Sequence, residues 1–179
     1  LYCGRGGWTR GFLERGFRVV GYDVVRHKGY PGELVIQDAR TIDGRHMRGK
    51  VDFIVASPPC VEAARLDKPC WFPAPPWPDY ALFDAARRIA WEARAPLLLE
   101  NVRGAINLLG RDYWRVAQWY FWGWRPTFLP AQFLNPPFKN VNLIRDPARR
   151  AEVPLSIASW VAERVRVEII NRGGAHDDG

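Results

Sequence analysis

A chain of 179 residues, 47% of them hydrophobic, suits one α/β domain with a sheet covered on both faces, and is too short for a second full domain. It has no apolar run near the roughly 18 residues of a membrane span and no charged-then-apolar leader, so a cytoplasmic protein with no membrane partner is expected. Lysine and arginine exceed the acids 26 to 19, which favours a polyanionic partner, while cysteines at 3, 60 and 70 and three unpaired histidines exclude a disulfide framework and leave no zinc site or other metal centre.

The chain starts at Leu1, almost on top of a glycine-rich turn, so a first strand is expected to be truncated. Leu1-Tyr2-Cys3-Gly4-Arg5-Gly6-Gly7 leads into a helix over residues 8–15 that turns Phe12 and Leu13 inwards. Glycines at 4, 6 and 7 allow a tight strand-to-helix turn and a close backbone approach to a ligand, although loops use glycine in any case. A β-branched strand over 17–23 then ends in Asp23, roughly 20 residues after the glycine turn, the spacing at which an acid accepts from ribose hydroxyls.

A short strand over 33–38 ends in Asp38, whose carboxylate either accepts from an adenine amino group or caps the segment starting at Ala39. Next comes Val51-Asp52-Phe53-Ile54-Val55-Ala56-Ser57-Pro58-Pro59-Cys60, a buried strand stopped by two prolines that presents a thiol at its exit. Ligands and chemistry collect at the carboxyl ends of strands in a parallel α/β sheet, so Cys60 is a candidate nucleophile; standing alone, such a cysteine is more often a small buried hydrophobe. Residues 61–79 carry five prolines with Trp71, Phe72 and Trp77, and a loop this long predicts a lid over the site.

Residues 80–94 place Leu82, Phe83, Ala86, Ile89, Ala90 and Ala93 on one helical face with arginines opposite. Pro96-Leu97-Leu98-Leu99-Glu100-Asn101-Val102 reads as a short buried strand delivering an acid and an amide, with Arg103 as the alternative, purely structural partner of the acid. Residues 112–124 are expected to be a helix running into an aromatic strand over 119–122, residues 127–140 irregular, and 145–150 a basic turn. Pro154 opens a last helix over 155–165, with Ile157, Trp160, Val161 and Arg164 on alternating faces and a frayed tail after Asn171. The tryptophans at 71, 77, 114, 119, 122 and 124 form two clusters, suited to core packing or to stacking on bases.

Taken in order and spacing, the glycine turn, Ser57-Pro58-Pro59-Cys60 and Glu100-Asn101-Val102 resemble the cofactor, nucleophile and Glu-Asn-Val motifs of the DNA (cytosine-5-)methyltransferases, in particular the short, phage-encoded type. The resemblance runs from Leu1 to about Val165. It implies a class I methyltransferase fold, Rossmann-like with a mostly parallel doubly wound sheet, in one catalytic domain over 1–179. It also implies S-adenosylmethionine as cofactor, S-adenosylhomocysteine as product, and DNA as partner, in a bacterial, archaeal or virus-infected cell. Residue by residue, Cys60 becomes the nucleophile, Glu100 the group that protonates cytosine N3, and Asn101 the residue that positions Glu100 or the proline turn. Gly4, Gly6 and Gly7 fall to the methionine end of the cofactor, Asp23 to its ribose, Asp38 and Ala39 to its adenine, and Tyr2, Ser57 and Pro58 to the same pocket.

The chain departs from the family after Cys60, where Val61-Glu62-Ala63-Ala64 replaces the usual Gln and Phe-Ser pair. The Gln-x-Arg-x-Arg motif is missing, with Arg125, Arg149 and Arg150 as candidate replacements, and Glu152-Val153-Pro154 resembles the final motif without its asparagine. The length leaves no room for a target-recognition domain, so selectivity is expected to be low, to come from the tryptophan-rich stretches, or to come from a second chain. Two rivals stand beside this reading: an amino-methyltransferase, in whose mechanism Glu100-Asn101 has no place, and a catalytically inactive DNA-binding or cofactor-sensing relic of the same fold.

Overall fold

The computed structural model describes residues 1–60, 63, 80–134 and 152–174. In chain order its elements are α1 (Gly7–Glu14), β1 (Val20–Asp23), β2 (Glu33–Ile36), β3 (Ile54–Ala56), α2 (Ala81–Ala93), β4 (Leu97–Asn101), α3 (Ile106–Leu109), β5 (Tyr113–Val116), β6 (Trp119–Gly123), α4 (Ala131–Leu134) and α5 (Leu155–Gly174), with 3₁₀ turns at Ala39–Thr41, Gly44–Met47 and Arg103–Ala105. Contacts gather these into two units, Leu1–Tyr2 with Asp38–Lys139, and Cys3–Gln37 with Asn140–Gly179. The architecture is α/β with a mixed sheet, and among the described residues no helix is long and apolar enough to cross a membrane.

The Cys3–Gln37 unit pairs β1 and β2 in parallel, Val20 opposite Glu33 through Asp23 opposite Ile36. Its core is the crossing of α1 and α5. Ile157, Ala158, Val161, Ala162 and Val165 recur at helical spacing on the buried face of α5. Gly11 lets α1 close on that face, since a Cβ built there would stand 2.5 Å from the backbone of Ala158 and Ser159. Phe12 is buried against Phe17 with ring centroids 5.1 Å apart, whereas Leu13, expected to face inwards, is exposed because it lies one position round the helix. The last helix runs on past Asn171 to Gly174, beyond the stretch its sequence marks out.

The second sheet has the order β3-β4-β6-β5, with β3 and β4 parallel and the other two pairings antiparallel. Leu1 lies along the edge of β3: its amino group donates to the Val55 carbonyl at 2.7 Å and its carbonyl accepts from the Ser57 amide at 3.3 Å, the exchange of a parallel bridge. Helix α2 contributes Phe83 and Ala86 to a core shared with Ala56, Leu99, Tyr120 and Trp122, and Ala63 is buried in the same cluster. Tyr113–Val116 corrects the expectation of a helix from 112. It is a strand whose Trp114 and Val116 face inwards while Arg115 faces out, and it turns back onto β6 through Ala117 at φ 51. No glycine or asparagine marks that turn, so the two aromatic strands read as one run in the sequence. Residues 131–134, expected to be irregular, form one helical turn. Trp114, Trp119 and Trp122 are buried, Trp114 stacked on Phe121 at 4.2 Å; Trp71 and Trp77 and the basic turn at 145–150 lie outside the described residues.

Replacing Gly11 by alanine adds about 1 kcal/mol of intrinsic helix preference, but overpacking a tight contact costs roughly 1–3 kcal/mol, and here the obstacle is backbone. Gly11→Ala is therefore expected to lower stability in urea melts by about 1 kcal/mol or more; a stabilised variant would mean that the helices do not approach this closely.

Candidate active site

The β3–β4 ladder pairs Ile54 with Leu97, Val55 with Leu98 and Ala56 with Leu99, and one step further sets Ser57 opposite Glu100 and Pro58 opposite Asn101. Prolines 58 and 59 have no N–H, so the backbone ladder cannot continue through them. The Asn101 side chain takes over: its Nδ2 donates to the buried Pro58 carbonyl at 2.8 Å, and its Oδ1 accepts from the Val102 amide at 3.0 Å. Asn101 is 2% exposed, so both groups would be left unsatisfied without that pair of bonds.

Glu100 leaves the same strand end, 8% exposed. Burial pushes its carboxyl up from 4.5 to about 7, and a hydrogen bond from the Ser57 hydroxyl holds it lower than burial alone would. Neither cause is a cation, so pairing with Arg103 is not what sets its protonation. At neutral pH this acid is poised to give or take a proton. Cys60, half-buried and outside any disulfide, follows two residues after the carbonyl that Asn101 anchors.

Tyr2 belongs to this unit, at φ 55, with its hydroxyl donated to the Leu82 carbonyl at 2.7 Å; burial, and secondarily the charge of Asp38, push that hydroxyl up to about 12. Its polar end is thus committed to α2. Asp38 caps the 3₁₀ turn at Ala39–Thr41, accepting from the Arg40 amide at 2.9 Å and pairing with the Arg40 guanidinium, which holds its carboxylate below the usual range. Of the two roles open to Asp38, the cap is the one formed here. Ala39 beside it is buried.

In the Cys3–Gln37 unit, Asp23 organises the glycine turn. Its Oδ2 accepts from the Gly4 amide at 2.9 Å and its Oδ1 from the Val25 amide at 3.0 Å, with His27 Nε2 3.6 Å away. Gly4 has φ +50 and Gly6 φ +86, a region that disfavours side chains. A Cβ on Gly6 would meet Pro31 at 2.6 Å and one on Gly7 would meet Glu152 at 2.7 Å, so packing alone requires these two glycines. Among the described residues, a Cβ on Gly4 would meet nothing within 4 Å. Among the described residues, no side chain caps the start of α1.

The structure thus joins Ser57, Pro58, Glu100 and Asn101 directly, and separately joins Gly4 to Asp23. The sequence assigns Ser57 to the cofactor and gives no sign of its contact with Glu100; the parallel register, one step beyond the Ala56–Leu99 pair, is what reveals it. Of the candidate cations, Arg125 pairs with Asp112 at 2.7 Å, while Arg149, Arg150 and the expected lid at 61–79, Ala63 apart, lie outside the described residues. Glu152 pairs with Arg10 and Val153 is buried beside it. No family model, curated protein or solved structure matches the chain.

The Glu100 pKa carries a stability consequence. The folded chain keeps this proton to about pH 7 and the unfolded chain releases it near 4.5, so the folded state binds more protons between those values. Stability therefore falls as pH rises from about 4.5 through about 7 and is level above, by on the order of 3 kcal/mol in total. Glu100→Gln is expected to remove that slope and to unfold at a higher temperature than the parent at pH 8 relative to pH 5; parallel pH profiles of the two proteins would contradict the assignment.

Proposed function

We propose that this protein is a DNA cytosine-5 methyltransferase with a class I, Rossmann-like fold, acting through Cys60. The reading is supported chiefly by the joined ends of β3 and β4, where a buried acid with a pKa of about 7 sits beside the proline turn that delivers a thiol, with Asn101 fastening the turn. Carbon 5 of cytosine is a poor nucleophile. The Cys60 thiolate adds to carbon 6, the ring electrons move towards N3, and Glu100 gives N3 its proton, leaving a neutral enamine that is nucleophilic at carbon 5. S-adenosylmethionine, when bound, supplies an electrophilic methyl group on a sulfonium. After methylation, carbon 5 loses its proton to solvent, the carbon–sulfur bond breaks with its electrons returning to Cys60, and N3 returns its proton to Glu100. The base must leave the duplex to be reached.

The glycine turn fits such a cofactor on two observations. Among the described residues open space lies beside Gly4, and while Asp23 Oδ2 already faces the Gly4 amide, the Cys3 thiol and His27, Oδ1 takes the Val25 amide alone and keeps acceptor capacity for a ribose hydroxyl. Gly4, Gly6, Gly7 and Asp23 of the Cys3–Gln37 unit would hold the cofactor, Gly4 and Asp23 already being joined by the Gly4 amide.

Duplex DNA carrying 5-fluorocytosine, incubated with S-adenosylmethionine, is expected to form a covalent adduct that survives denaturing electrophoresis and disappears in Cys60→Ser. No adduct with the parent protein, alongside intact DNA binding, would select the inactive relic instead. Asp23→Ala is expected to weaken S-adenosylmethionine binding about tenfold by calorimetry while leaving DNA affinity unchanged, because a carboxylate that accepts from hydroxyls contributes on the order of 1.5 kcal/mol; an unchanged affinity would remove Asp23 from the cofactor site.

A further inference from the structure

Helix α2 has two unlike faces. Phe83, Ala86, Ile89, Ala90 and Ala93 are buried, while Ala81, Asp84, Arg87, Trp91 and Arg94 form a single exposed stripe at three- and four-residue spacing. Trp91 is 80% exposed, its ring face open to a stacking partner and flanked on the stripe by Arg87 and Arg94. The 3₁₀ turn Gly44–Met47 packs on the same helix end so closely that a Cβ on Gly44 would stand 2.4 Å from the Ile89 carbonyl. It brings in Arg48, whose guanidinium donates twice to the carbonyl of Glu92, the residue after Trp91, at 3.0 and 3.1 Å. Lys50 follows, also exposed.

The charges of this corner do not balance. Arg45 pairs with Asp43, Arg88 with Glu92, and Arg87 lies 3.8 Å from Asp84, but Arg48, Lys50 and Arg94 have no carboxylate partner among the described residues. Arg94 also closes α2 in the left-handed region, at φ 56, where glycine is the favoured residue. The patch is remote from Cys60 and Glu100. Helix α2 ends where β4 begins, and the candidate site lies at the far end of β4, five residues or about 17 Å away.

We propose that Trp91, with Arg48, Lys50, Arg87 and Arg94, is a second contact for DNA, holding a single strand by stacking a base on the indole while the cations face phosphates. The chemistry favours a single strand over a duplex, because a paired base offers no free ring face. It favours a nucleic acid over a membrane, because one aromatic residue among arginines and Asp84 buries little apolar surface. The choice of DNA over RNA rests on the function proposed above; the stacking contact does not, and is read independently of Cys60 chemistry.

Fluorescence anisotropy with a labelled oligothymidylate of about 15 nucleotides tests it. Trp91→Ala is expected to weaken binding about tenfold. Replacing Arg48, Lys50 and Arg94 together by alanine is expected to reduce the slope of log affinity against log salt by about 2. Arg94→Gly separates binding from folding: relief of the left-handed backbone raises its melting temperature while its affinity falls. Affinity unchanged in Trp91→Ala, or a Trp91-dependent affinity for phosphatidylserine vesicles exceeding that for the oligonucleotide, would overturn the proposal. Tighter binding of oligouridylate would overturn the choice of DNA. In each variant the 5-fluorocytosine adduct at saturating duplex reports separately on Cys60, so loss of the adduct in the parent protein and loss of the strand contact are distinguishable outcomes.

Discussion

Two prolines end β3 at the point where its neighbour still has residues to pair, and a side-chain amide completes what the backbone cannot. The Asn101 bond to the Pro58 carbonyl is the constraint on which the strand ends depend. Proline supplies no N–H, and a buried carbonyl left without a donor costs roughly 1–3 kcal/mol. An amide on the adjacent strand is neutral, short and two-handed, so it bonds the turn with one atom and its own following backbone with the other. An acid at that position could not donate at neutral pH, and a longer amide would lose more rotamer freedom.

With the turn fastened, Glu100 has little freedom to escape into solvent. It lies on a strand of leucines, with Ser57 as its hydroxyl partner, and burial holds its proton to about pH 7. The same desolvation that lowers stability as pH rises towards 7 keeps the group protonated close to neutrality. Under the proposed mechanism, stability and proton delivery are therefore opposed at one side chain.

The Cys3–Gln37 unit uses glycine for two different physical reasons. At Gly11, Gly6 and Gly7 the missing side chain allows close packing. At Gly4 the positive φ comes with open space and an amide already oriented by Asp23. What sets Gly4 apart from other open glycines is that amide, so a ligand approaching there meets Asp23 as well.

Local pattern was enough for much of this protein. The apolar period over residues 80–94 specifies α2, the β-branched run before Asp23 specifies β1, and a strand halted by two prolines before a thiol announces the end of β3, because these depend on neighbours three or four residues apart or closer. The motifs naming Cys60, Glu100 and Asn101 are local in the same sense. Only tertiary structure decided that Ser57 meets Glu100, that Asn101 holds Pro58, and that Leu1 lies along β3, since each depends on register between segments more than 40 residues apart. The hairpin of β5 and β6 and the outward-facing Trp91 were settled there too: an aromatic residue serves a strand, a helix face or a surface equally well until its surroundings determine how much water it keeps.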